Sequence, residues 1–158
     1  MTSHGDRPNR LPWPPIIYVV AIALSVILHW LWPLPWLGSP LSDFLLPVGV
    51  LTGLGAIAID VAAMRTLGRA RTTIMPNRAS ENLVTTGPYS FTRNPIYLGN
   101  TMLMIAAALV FGIAWFIPLA LAAAFATQKL AIEREEHHLA IRFGKRYRDY
   151  QKKVRRWI

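Results

Sequence analysis

The sequence predicts an all-α membrane protein with four transmembrane helices, an extended fourth helix and a C-terminal amphipathic helix. Three observations carry that prediction. The 158 residues are 53% hydrophobic, mean hydropathy is +0.32, and the apolar residues come in blocks of roughly 16–21, near the ~20 needed to cross a bilayer. Lysine and arginine alternate between the segments that join the blocks. Past the fourth block, apolar residues recur every three or four positions, the mark of one helical face.

Residues 1–14 are polar and proline-rich, carry Arg7 and Arg10, and read as a loose tail; residues 15–158 read as one transmembrane domain. The first span is 15–32, PIIYVVAIALSVILHWLW. No small-x-small cleavage site follows and more spans come after, so it reads as a retained helix rather than a signal peptide. His29 near its far end reads as an interfacial histidine. Residues 33–43 form a short turn without Lys or Arg, and Trp30, Trp32 and Trp36 gather there as an aromatic belt.

The second span is 44–64. Gly49 and Gly53 form a GxxxG pair that permits close helix contact, within the chain or between chains. Asp60 lies near the end of this span. An intramembrane acid can act as a proton relay or substrate contact; the favoured reading is a carboxylate near the interface paired with Arg65 or a neighbour.

Residues 65–94 are a basic connector ending in LVTTGPYSFTRNPIYLG, residues 83–99, which holds two prolines, two glycines, two tyrosines and one arginine. The residue before each proline is pushed out of the helical region, so the chain bends at Gly87-Pro88 and again at Asn94-Pro95. Asn94 suits an N-cap and Pro95 the first helical position. The third span follows from Pro95 to about Val110. Its amino end, with free N–H groups and a positive dipole, is a seat for an anion. Phe111-Gly112 turns the chain, and the fourth span runs from about Ile113 through Thr127, with no helix breaker before Gly144.

The tail carries two Lys or Arg, the first turn none, the connector five, the second turn none, and the segment from Lys129 onward ten. That alternation places both termini and the connector on the cytoplasmic side. The net charge of +9 flanks apolar spans, so anionic lipid headgroups are its counter-charge and nucleic acid is set aside. There are no cysteines, which excludes disulfides, a thiol nucleophile and a cysteine metal site.

In the C-terminal segment, Ile132, Leu139 and Phe143 mark an apolar stripe with Glu135 and Glu136 beside it. Past Gly144, the spacing of Tyr147, Tyr150, Val154 and Trp157 reads as an interfacial anchor. Glu135-x-x-His138 has the spacing of a di-iron ligand pair, but such sites need a second copy that this chain lacks, so no metal is expected. EREEHH then stands open between two readings, a site for a polar ligand and a solvated helix face.

GPYSFTRNPIYLG followed by EEHHLAIRFGKRYRDYQKKVRRWI resembles the integral-membrane methyltransferases: the isoprenylcysteine carboxyl methyltransferases, the phospholipid N-methyltransferases and their bacterial relatives. The match covers about residues 81–158. It implies S-adenosylmethionine as methyl donor, held by Asn82, Leu83, Val84, Tyr89, Asn94, Pro95, Ile96, Tyr97 and Glu135. It also implies a lipophilic or lipidated acceptor and a bacterial inner-membrane location. Glu81, Asn94 and Ala131 depart from the prenylcysteine enzymes, which have histidine, histidine and arginine there. Arg93 reads either as a partner for an acceptor carboxylate or phosphate or as a structural link to Glu135, Glu136 or lipid phosphate, and Glu136 is expected to serve as base for an amine acceptor. Carboxyl O-methylation of the isoprenylcysteine type is the first expectation and phospholipid N-methylation the second. A sterol-reductase-like oxidoreductase and a non-enzymatic lipid-binding protein stand as alternatives.

Overall fold

The computed structural model describes residues 12–70 and 82–158, and these are helical throughout their regular parts. Residues 1–11 of the expected tail, together with Arg71, Arg78 and Glu81 of the connector, lie outside the described residues. The order is α1 (Trp13–Leu31), α2 (Leu41–Arg69), a 3₁₀ turn (Gly87–Ser90), α3 (Pro95–Phe111), α4 (Phe116–Thr127), a π-helical turn (Gln128–Ile132), α5 (Glu133–Phe143) and α6 (Lys145–Lys153).

Helix α1 starts two residues before the expected span because Pro14 and Pro15, lacking N–H groups, fit its first turn, where no N–H is needed. Helix α2 overruns the expected span at both ends, since residues 41–43 and 65–69 contain no proline. Among the described residues, three helices are long and apolar enough to cross a membrane: α1, α2 and the continuous run Phe116–Phe143. The third apolar block is the shorter helix α3 of 17 residues, about 25 Å at 1.5 Å per residue against a hydrocarbon core of ~30 Å.

Helix α2 packs along α3, α3 along α4, and α4 along α1. Tyr18 and Ala21 of α1, Met104 and Ala108 of α3, and Phe116, Ala120 and Ala123 of α4 form the shared core. Alanine dominates because lipid supplies no hydrophobic drive between helices, so association depends on close backbone approach. Gly49 shows the same principle: a Cβ there would lie 2.8 Å from Leu109 Cβ and 2.9 Å from Val110 Cγ2. The GxxxG contact is therefore made within the chain, against α3. Val19, Leu51, Leu54, Ile57, Leu121 and Phe125 point outward, where they suit hydrocarbon. At the boundary expected to hold the aromatic belt, Trp30 and Trp32 are exposed, while Trp36 lies over Gly112 and Trp115 Nε1 donates to the Trp32 carbonyl at 2.7 Å.

The polar end matters most for function. The run from α4 continues through the π turn into α5, carrying Glu135 and Glu136 beyond the apolar section. At Gly144 the backbone takes φ +53° and turns the chain back as α6. Tyr147, Tyr150 and Val154 are buried, packed on Leu83, Leu139, Ala140 and Phe143. The stripe expected to anchor in the membrane interface instead covers the connector loop and the end of α5. An amphipathic face is satisfied equally by lipid or by protein, and here protein is within reach.

Candidate functional site

The site is built where the loop before α3 meets α5 and the C-terminal segment. Asn82 Nδ2 donates to the Ala70 carbonyl at 2.8 Å, tying the loop to the end of α2. Leu83 packs into the Tyr147–Tyr150–Val154 cluster, and Val84 is half-buried. The 3₁₀ turn rests on α2, with Gly87 at φ +60° against Thr66, where a Cβ would come within 2.8 Å of Thr66 Oγ1. Tyr150 donates its hydroxyl to the Tyr89 carbonyl at 2.5 Å, which fixes the Tyr89 backbone.

The C-terminal segment then closes on residues 92–94. Arg93 N–H donates to the Arg155 carbonyl at 3.0 Å. Thr92, fully buried, donates its hydroxyl to the Arg156 carbonyl at 3.2 Å. Asn94 occupies the N-cap position but makes no side-chain cap; its Nδ2 donates to that same carbonyl at 3.0 Å. In place of the expected cap, the Asn94 side chain makes a tertiary bond to a carbonyl 62 residues away. Pro95 is buried at the first helical position and Ile96 is half-buried beside it.

Glu136 is the electrostatic centre of this end. Arg156 reaches it with Nε to Oε1 at 3.0 Å and Nη2 to Oε2 at 2.7 Å, and Arg93 Nη2 adds a contact to Oε1 at 3.2 Å. Glu136 is 9% exposed. Both of its oxygens are engaged by guanidinium groups. Glu136 thus clasps α5 to the loop and the C-terminal segment. Arg93 keeps two buried nitrogens, Nε and Nη1, without a hydrogen-bond partner. The Glu136 bond raises the Arg156 pKa further.

Glu135, one residue earlier, faces the other way. It interacts with the Tyr97 hydroxyl, and its charge is felt at Tyr89. Burial, then the charges of Glu135 and Tyr150, hold the Tyr89 phenol well above the usual tyrosine range, so it is a neutral ring at physiological pH. Tyr150 is pushed up to about 12 by burial, opposed by Arg93. Tyr18 of α1 donates to the Tyr97 carbonyl at 3.1 Å and meets Thr101 Oγ1 at 2.7 Å, bracing the first turns of α3. Ala131, in the π turn, is fully buried.

Asp60 corrects the interface-pairing expectation. It forms no ion pair with Arg65; the ion pairs among the described residues all go to Glu133 and Glu136. Instead it lies against α3 at Gly99, with Oδ1 buried and unpartnered. No group of three His, Cys, Asp or Glu side chains converges as a metal site among the described residues.

The arrangement thus brings Tyr89, Tyr97 and Glu135 together. Asn82 and Leu83 tie the loop to α2 and to the C-terminal cluster. Thr92, Arg156, Tyr18 and the Trp157 Nε1 to Gln128 Oε1 bond at 2.8 Å were not singled out by sequence reasoning. The signal for Arg156 lay in its place near the end of the segment EEHHLAIRFGKRYRDYQKKVRRWI.

Comparison with known proteins adds three findings. The family model described as phospholipid methyltransferase matches residues 45–146. The nickel-cobalt-cadmium resistance protein NccN of Alcaligenes xylosoxydans xylosoxydans is 34% identical over 144 residues, which is 90% of this chain and 60% of that protein. The solved structure of the eukaryotic intramembrane Ras methyltransferase ICMT (isoprenylcysteine carboxyl methyltransferase) superposes with a TM-score of 0.61 at 25% identity, covering 92% of this chain and 52% of that one. The chain thus spans a little over half the length of each of these two proteins.

Proposed function

The chain belongs to the phospholipid methyltransferase family, and from that premise we propose that it transfers a methyl group from S-adenosylmethionine to a lipophilic acceptor arriving from the bilayer. The observation that carries this reading is the meeting of the bent loop with α5, which sets Tyr89 and Tyr97 beside Glu135. The donor has an anionic carboxylate, an ammonium group, ribose hydroxyls and a sulfonium. The groups present fit it: Arg93 offers two buried, unpartnered N–H positions for an anion, and Glu135 offers a carboxylate for ribose hydroxyls or the ammonium.

When bound, S-adenosylmethionine supplies a methyl group on positively charged sulfur, open to in-line displacement. The protein's part is placement and exclusion of water. The faces of Tyr89 and Tyr97 suit a cation, a contact worth ~0.5–2 kcal/mol. Asn94, Pro95 and Ile96 set the start of α3, whose N–H groups suit a carboxylate, while Leu83 and Val84 wall the loop side. Glu136 holds Arg93 and the C-terminal segment in position.

Two acceptor chemistries fit that frame. One is carboxyl O-methylation of the isoprenylcysteine type, in which an ionised acceptor needs no base and Arg93 would hold it. The other is N-methylation of a phospholipid amine, which needs a proton acceptor other than Glu136. The charge pattern supports a bilayer reading with four spans, the site and both termini facing the cytoplasm of a bacterial inner membrane.

Calorimetric titration of the purified protein with S-adenosylmethionine, then with its demethylated product, then with a nicotinamide dinucleotide tests the proposal. Heat from the first two and none from the third is the expected result. Binding of the dinucleotide alone would move the protein to the oxidoreductases, and binding of none to lipid-binding proteins.

A further inference from the structure

Among the described residues no cation pairs with Asp60. Asp60 sits in α2, beside α3, where a Cβ built on Gly99 would run into its carboxylate. The missing side chain at Gly99 is what lets the carboxylate lie flat on the helix. Oδ1 is buried with no hydrogen-bond partner, while the residue as a whole is half-buried, so the group stays reachable. Arg156 and Lys129 pair with Glu136 and Glu133, and Arg93 reaches Glu136 rather than Asp60. An ionised carboxylate at such a place is costly unless a cation comes to it.

Its position says which cation. Gly99 lies five residues past Asn94, about 7–8 Å along the helix axis, so Asp60 is on the membrane side of the loop. Two residues before Gly99 on α3 stands Tyr97, whose side chain belongs to the proposed donor site and whose carbonyl accepts from Tyr18 of α1 at 3.1 Å. Asp60 therefore stands between the proposed donor site and the bilayer from which the acceptor arrives. A carboxylate acceptor would meet like charge there, in a medium that screens poorly.

Resting on the methyltransferase reading, we infer that Asp60 is the acceptor-side specificity residue and receives a primary or secondary amine at the head of a membrane-embedded molecule. The amine arrives as its ammonium form and pairs with the carboxylate. One N–H bond then breaks, its proton passes to Asp60, and the nitrogen keeps the electron pair needed for methylation.

The test uses the full chain in phosphatidylcholine nanodiscs without donor. Intrinsic tryptophan fluorescence reports titration with hexadecylamine and, separately, with palmitate. Wild type binds the amine at least tenfold more tightly than the acid. Asp60→Asn loses that preference, Asp60→Glu keeps part of it, and both bind S-adenosylmethionine within about twofold of wild type. Radiolabelled methyl transfer to hexadecylamine, to phosphatidylethanolamine and to a farnesylated N-acetylcysteine then tells a bare amine from a phospholipid head. Equal or tighter binding of palmitate by wild type overturns the inference even if a variant fails to fold. So does an unchanged preference in Asp60→Asn, or methylation of the carboxylate acceptor alone. An amine preference that depends on Asp60 in a protein that binds no S-adenosylmethionine would instead sink the methyltransferase reading and leave the amine site standing.

Discussion

Replacing Arg156 with alanine should unfasten the C-terminal segment, and the size of the effect follows from its bonds. Arg156 makes two contacts to Glu136, at 3.0 and 2.7 Å, and Glu136 is 9% exposed. Removing one partner of a fully buried ion pair costs about 3–5 kcal/mol, because the other charge is left buried. Two facts reduce that figure: the Arg156 side chain is 30% exposed, and Arg93 still holds Glu136. A loss of about 2 kcal/mol remains. For a chain of this size that lowers Tm by about 4–8 °C, read by circular dichroism in detergent. Arg155→Ala is the control: its side chain is exposed and only its carbonyl is used, so the change stays within about 0.5 kcal/mol. A double-mutant cycle with Glu136→Gln should return a coupling of about 1–2 kcal/mol. Equal Tm shifts for the two arginines, or no coupling, would refute the clasp.

Glu135→Ala should weaken S-adenosylmethionine binding at least tenfold by calorimetry, whereas Lys152→Ala on the exposed side of α6 should leave it unchanged; equal effects would remove Glu135 from the site. Gly49→Ala should destabilise by about 1–3 kcal/mol through overpacking against α3, while Gly55→Ala, which faces open space, should be neutral or slightly stabilising in the same thermal assay. Tyr150 is held neutral by burial, with its pKa raised to about 12. Its stabilising contribution is therefore complete below the ordinary tyrosine value of about 10 and is lost as pH rises through about 12. In a tyrosinate absorbance titration, Tyr150→Phe should remove one late-titrating group; removal of an early one would contradict the burial.

Much of this protein is local and could be read from residue order. Apolar blocks dictate helices because an unpaired backbone is intolerable in lipid. Gly87-Pro88 and Asn94-Pro95 dictate the bends, and the spacing of Tyr147, Tyr150 and Val154 dictates one apolar face. These depend on residues within four positions of each other. What that face covers, whether Asn94 caps its own helix, which helix Gly49 meets and whether Asp60 finds a counter-charge depend on partners tens of residues away. Glu136 is the plainest case. Beside Glu135 in sequence the two look like a matched pair of acids, yet a helix turns adjacent side chains about 100° apart. Only the fold put one against two arginines and the other against a tyrosine.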